Sequence, residues 1–282
     1  MPTVTKQSPN APISKSVLDR IAPIGFSADD GIKILIYGKS ATGKTTLCGT
    51  FPGPILFIIC SGGDKPGELR SIDTLENRKR ISQVVLEHTS EMREIVKYIK
   101  AEGKFKSVVL DHASGMQDLT LKEILGIEEL PAQKTWGLAT QAQWGQSTMM
   151  CKEMFRQLLS LPTNVAIIAQ ERTFGGSDDA NLSDMIHPTV GAALTPSLTG
   201  WLGPACDYVV QTYLRAKTKK VVTEIAGEKI ETIERDKGIE YCVRTEAHEV
   251  FQTKFRVPRG TKIPDAIVDP TYDKILRLIR GQ

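Results

Sequence analysis

The segment Gly38-Lys39-Ser40-Ala41-Thr42-Gly43-Lys44-Thr45 constrains this chain more than any other. It has the pattern G-x-x-x-x-G-K-[ST] and directly follows Ile32-Lys33-Ile34-Leu35-Ile36-Tyr37, a run of strand length that is apolar apart from Lys33. A strand that ends in a glycine-rich loop and reopens as a helix is built to hold an anion. The glycines let backbone N–H groups curl around phosphate oxygens without a Cβ clash. The helix starting at Thr45 aims its positive end at the same point. Lys44 is spaced to reach the β- and γ-phosphates of a nucleotide, and the Thr45 hydroxyl to bind Mg²⁺. The expected ligand is ATP with Mg²⁺, held by residues Gly38 through Thr46.

The rest of the chain supplies a scaffold for such a loop. Further strand-length apolar runs occur at Ile55 to Cys60, Val108 to Asp111 and Asn164 to Gln170. Helical patterns fall between them. Ser90 is placed to cap a helix through Ala101, with Met92, Ile95, Val96 and Ile99 on one face. A long, mostly helical stretch covers Gly115 to Leu161. Strands alternating with helices predict an α/β fold with a mostly parallel central sheet flanked by helices. After Asp207 the pattern changes. Tyr208 to Arg215, Lys219 to Ile225, Glu240 to Arg244 and Glu249 to Val257 read as antiparallel strands added to one edge, followed by a helix from Pro270 to Arg280. Residues 1–30 are rich in Ser, Pro, Thr and Lys and read as a partly disordered arm, leaving 31–282 as the compact domain.

Composition narrows the function classes. A net charge of +3 over 282 residues excludes a polybasic protein, so any nucleic-acid contact must be local. No apolar run nears the length of a bilayer span, and the polar start at Met1 to Asn10 has no signal core. The five cysteines, Cys48, Cys60, Cys151, Cys206 and Cys242, have neither disulfide nor metal spacing. They read as small buried thiols in a reducing, cytoplasmic compartment.

Several residues are placed to complete a nucleotide site. Asp111 ends an apolar strand, where a second Mg²⁺-site acid is needed. Gln170 ends another, on the carboxyl edge where parallel sheets bind ligands, and a neutral amide there can sense a γ-phosphate. The acid that orients an attacking water has three candidates, Asp64, Glu68 and Glu171, of which Asp64 lies just beyond the second strand. Lys254 and Arg256 flank Phe255, on one face if the segment is a strand, and suit an anion such as the ATP of a neighbouring subunit. A solvated basic edge fits that spacing equally well. Arg172 and Phe174, beside Gly175 and Gly176, suit a mobile DNA-binding loop. Lys217, Lys219 and Lys220 form a basic stretch able to meet a phosphate backbone, or else a solvated hairpin.

The order of these features resembles the RecA-like P-loop ATPase core, and within it the phage Sak-type single-strand annealing ATPases. The likeness rests on Tyr37 to Leu47 with Thr50-Phe-Pro-Gly-Pro after it, on Val108-Val-Leu-Asp-His, and on Gly200-Trp-Leu-Gly-Pro-Ala-Cys-Asp-Tyr-Val-Val. It covers roughly residues 31–280. The resemblance implies a homo-oligomer, ring or filament, with ATP between subunits and Lys254 and Arg256 reaching it from the next protomer. It implies single-stranded DNA as a partner, a single-strand-binding protein alongside, annealing or strand exchange as the activity, and a host cytoplasm as the location. A hexameric helicase-like motor shares the late Lys-x-Arg. One departure stands out: the acid usual after the second strand is replaced by Ile59-Cys60-Ser61-Gly62, which favours slow hydrolysis or a nucleotide-gated assembly module.

Overall fold

Strand alternation sets the layering. Along β1 (Lys33–Gly38), Ile34 and Ile36 are buried on one face of the sheet and Leu35 and Tyr37 on the other. The computed structural model describes residues 31–60, 68–128, 139–175, 188–225 and 228–282. The arm expected at 1–30 and Asp64 lie outside the described residues, and so does the side chain of Lys220.

Among the described residues, six strands run parallel: β2 (Ile55–Ile59), β3 (Ile81–Val85), β4 (Ser107–Asp111), β5 (Asn164–Phe174), β1 and β7 (Tyr208–Ile225). The main sheet reads β3-β2-β4-β5-β1-β7-β8-β9, with β8 (Glu228–Arg244) and β9 (Ala266–Val268) antiparallel. The short β6 (Thr189–Ala192) pairs antiparallel with the far end of β5. This is the expected α/β arrangement, mostly parallel with antiparallel strands toward the C-terminus. Among the described residues, two helices cover one face, α1 (Lys44–Gly49) and the last, α7 (Tyr272–Ile279), through Leu47, Cys48, Ile275 and Leu278. Four cover the other: α3 (Glu91–Glu102), α4 (Ala113–Leu125), α5 (Gln141–Leu159) and α6 (Pro196–Ala205). A single turn, α2 (Asn77–Arg80), leads into β3. All five cysteines are buried and none is in a disulfide, as expected of small buried thiols. No described helix is long and apolar enough to cross a membrane.

Several expectations need correction. Ser90 occupies the N-cap position of α3, but its side chain makes no capping bond. The first helical amides instead reach the carbonyls of His88, Thr89 and Ser90, while the Glu91 carboxylate ties the preceding turn by accepting the amides of Glu87 and His88 at 2.9 and 3.1 Å. The strand ending at Gln170 runs on to Phe174, because β6 satisfies its backbone beyond the sheet edge. Arg172 and Phe174 therefore sit in a paired strand, the guanidinium 5.4 Å from the ring centre, rather than in a mobile loop. The two strands expected within 208–225 are one, bent by a register shift between Ala216 and Thr218. β7 leaves β1 after Thr212 and pairs only with β8 to Ile225. That two-stranded ribbon extends past the sheet by roughly 40 Å, at about 3.3 Å per residue.

The strand expected over Glu249 to Val257 is not one. It makes single bridges, Val190 to Phe251 and Val209 to Lys254. β8 already occupies the edge of β7 from Gln211 onward, so only the lower end of β7 remains to be paired. Three strands went unforeseen. β3 mixes exposed polar residues with half-buried ones, and β6 and β9 have four and three residues, too short to show a period.

Candidate functional site

β1 ends at Gly38, and the chain must turn at once to start α1. Gly38 is hemmed in by β7: an added Cβ would lie 2.3 Å from Thr212 Oγ1 and 2.4 Å from its carbonyl. The turn is then held from both sides. Thr42 Oγ1 lies 2.7 Å from Thr212 Oγ1 and donates to the Lys39 carbonyl at 2.7 Å. Ala41 and Gly43 take left-handed conformations, φ 62° and 86°. Gly43 suits its place; Ala41 is strained there, and such strain gathers at functional loops.

Lys44 is 8 % exposed. Its Nζ donates to the carbonyls of Gly38 and Lys39, at 2.9 and 2.6 Å. Burial lowers its pKa, with Asp111 and Glu171 nearby pulling the other way. Thr45 Oγ1 donates to Asp111 Oδ2 at 2.9 Å. Asp111 is also buried, and burial raises its carboxyl, opposed by the Thr45 bond, His112 and Lys44. Burial likewise lifts the Cys48 thiol well above its usual range, which keeps it protonated beneath the loop.

The sheet brings the sequence candidates together. In register, Gly38 stands beside Gln170 on β5, and β5 lies beside β4, which carries Asp111. A cleft of about 800 Å³ at this carboxyl edge is lined by the loop from Ser40 to Thr46, by Asp111 and by Gln170. Among the other residues that line it are His112, Tyr241, Asp269 and Thr271. Tyr241 comes from β8 and packs on Gly43, where a Cβ would meet its ring at 3.2 Å. The Asp269 amide bonds the Tyr241 carbonyl at 2.8 Å, which seats the 269–271 turn opposite the loop. Only the pairing of β7 with β8 delivers Tyr241 and the 269–271 turn, and that register is not legible locally.

Other candidates lie elsewhere. Glu171 follows Gln170, so alternation turns it to the other sheet face. Its carboxylate accepts Gln211 Nε2 at 2.8 Å, and Gln211 Oε1 accepts from Arg244 at 3.2 Å. Lys254 Nζ donates to the carbonyls of Gly203, Pro204 and Cys206, at 3.4, 3.0 and 2.6 Å. Arg256 pairs with Asp207 at 3.2 Å. Val209, the backbone partner of Lys254, stands beside Leu35 low on β1, so this segment is far from the loop of its own chain. Lys217 and Lys219 are exposed on the ribbon.

Three solved structures align with most of the chain at low identity. Flagellar accessory protein FlaH from Methanocaldococcus jannaschii is 10 % identical, with 86 % of each chain covered and a TM-score of 0.42. A KaiC-like protein from Pyrococcus horikoshii OT3 is 14 % identical, covering 86 % of this chain and 91 % of its own, TM-score 0.43. The RadB recombinase is 16 % identical, covering 77 % and 89 %, TM-score 0.40. No curated protein matches in sequence. Residues 30–257, the stretch that carries the loop, β4 and β5, match the AAA domain family AAA_24, and the chain belongs to that family of P-loop ATPases.

Proposed function

We propose that this chain binds ATP with Mg²⁺ at the Gly38–Thr46 loop, hydrolyses it, and uses it to bind single-stranded DNA and promote annealing or strand exchange, with ATP between protomers. One observation carries the reading: Lys44, Thr45, Asp111 and Gln170 meet at the carboxyl ends of three adjacent strands. The donor set suits the ligand. Lys44 rests on two carbonyls that a phosphate can replace. The Thr45–Asp111 pair offers two oxygens of the type Mg²⁺ prefers. When bound, Mg²⁺ neutralises charge on the β- and γ-phosphates. Thr45 and Asp111 would hold it, Lys44 would hold the phosphates, and Gln170 would face the γ-phosphate as its sensor.

The DNA part is supported by placement. Arg172 and Phe174 on β5, and Lys217, Lys219 and Lys220 on β7, all come after the points where those strands leave the parallel sheet, on the edge that carries the loop. A strand of DNA along that edge would meet cations and an aromatic face. Arg256 is the residue of the late pair suited to reach a neighbour's ATP. Its one exposed ion pair is worth about 1 kcal/mol or less. Phosphate release, measured with and without single-stranded DNA and alongside Lys44→Ala, tests the whole. DNA that stays unbound with nucleotide present removes the DNA part. Arg256→Ala is expected to leave nucleotide binding intact and to slow release only where protomers assemble.

A second reading, a nucleotide-gated assembly module with little hydrolysis, has its own observation. Among the described residues, the carboxylates lining the cleft are Asp111, engaged with Thr45, and Asp269, beside Tyr241. Asp64, the candidate to activate water, lies outside the described residues. Assembly that depends on nucleotide without phosphate release supports this reading, and brisk turnover removes it.

A further inference from the structure

His112 ends the segment that carries Asp111 and opens α4, and its ring has two separate tasks available. Nδ1 accepts the amide of Gly115 at 2.9 Å, which caps the helix. A nitrogen that accepts a hydrogen bond carries no proton, so in the neutral ring the proton sits on Nε2. The half-buried ring lines the cleft with Lys44, Thr45 and Gln170. Among the described residues, nothing bonds Nε2.

Capping does not explain the residue. Asn, Asp, Ser and Thr are the preferred N-caps, and each would accept the Gly115 amide with a shorter side chain. Histidine adds an N–H on the far side of a rigid ring. It cannot serve as a base there, because its acceptor nitrogen is already committed to the helix.

We propose that His112 Nε2–H donates a hydrogen bond to the terminal phosphate of a bound nucleoside triphosphate, a second contact to that group besides Gln170. This rests on the nucleotide reading of the loop and deepens it. The contact also gives the phosphate a grip on α4. The helix begins so close to β2 that a Cβ on Gly115 would meet the Cys60 carbonyl at 1.7 Å. Its first turn reaches the segment after β6, with Ser114 Oγ donating to the Ala193 carbonyl at 2.8 Å and Gln117 Oε1 accepting the Thr195 amide at 3.1 Å. A ring drawn toward phosphate pulls on the turn that touches both strand ends.

The test separates cap from contact. His112→Asn keeps an acceptor for Gly115 and removes the ring N–H. Affinities of the full chain for ADP and for a non-hydrolysable ATP analogue, both with Mg²⁺, are measured by competition against a fluorescent nucleotide. The expected result is an unchanged melting temperature, near-unchanged ADP affinity, and analogue affinity lower by roughly ten- to a hundredfold, the effect of one hydrogen bond to a charged group. If the variant melts early, His112→Ser carries the same comparison with another good cap. A variant that distinguishes triphosphate from diphosphate as well as the unchanged protein overturns the proposal. An unchanged protein that binds neither nucleotide overturns the nucleotide reading itself, and this contact with it.

Discussion

Lys44 and Lys254 both point Nζ at backbone carbonyls, and the two settings differ in what those carbonyls need. Lys254 sits at the carboxyl end of α6, where the last carbonyls of a helix lack intrahelical partners and form its negative pole. A cation there completes the fold. Lys44 sits on the first two carbonyls of a loop, almost wholly shielded from water and with its pKa lowered by burial. Its charge is only partly compensated, and an anion would compensate it better. The same contact is a cap in one place and a stand-in for ligand in the other. Identical residue type and identical partners thus say little until the burial and the origin of the carbonyls are known.

The strongest way to break that contrast is Lys44→Ala. Losing a preorganised charged donor to a transferring phosphate is expected to slow phosphate release by on the order of 10²–10³. A continuous phosphate assay checks this. Folding should survive, because the loop keeps its Thr42–Thr212 tie. If turnover is untouched, Lys44 is another structural lysine.

Next in size is Gly38→Ala, which tests whether the loop is fixed by the ribbon behind it. The new Cβ would fall 2.3 Å from Thr212 Oγ1 and 2.4 Å from a carbonyl that cannot withdraw from its strand. Overpacking of this kind costs about 1–3 kcal/mol. A lower denaturant midpoint with unchanged slope is the expected outcome, and Thr212→Ala should restore part of it.

Asp111→Asn sharpens the contrast from the other side. Burial raises the folded-state pKa of Asp111 above its unfolded value. Between those two values the folded state holds the extra proton, so stability from this group falls as pH rises through that window. At neutral pH the ionised carboxylate is a cost. Asn removes the charge and still accepts from Thr45 Oγ1. Without Mg²⁺ the variant should melt a few degrees higher at pH 7, and the advantage should shrink as the pH falls into the carboxylate range. Mg²⁺-dependent nucleotide binding should be lost in the same variant.

Legibility in the sequence followed the same divide between local and distant causes. That the loop, Asp111 and Gln170 share one edge was readable because each lies at the end of a continuous apolar run, and parallel strands align their carboxyl ends. Ile34 and Ile36 on one face with Leu35 and Tyr37 on the other required nothing beyond alternation. Tyr241 and Asp269 were not readable, since they reach the cleft only through the long pairing of β7 with β8. The strand expected over 249–257 failed to form for a related reason. Alternating residues promise a strand only where an edge is open, and β8 had taken it.

Lys254→Ala gives the smallest expected effect and the finest discrimination. A cation at a helix carboxyl end is worth about 0.3–1 kcal/mol when exposed. Lys254 is half-buried and has three carbonyls within reach, so the upper part of that range applies. Burial also lowers its pKa, with Arg256 adding to the effect, so part of the gain is already offset. A small drop in melting temperature is expected, with recovery in Lys254→Arg, whose guanidinium can reach the same carbonyls. Phosphate release per protomer should be nearly unchanged, since the α6 end stands apart from the Gly38 loop of its own chain. A large loss of release confined to assembled protein, with no change in melting temperature, would move Lys254 to the side of Lys44. The lysine would then be leaving its helix to meet a neighbour's phosphate, and the contrast between the two would vanish.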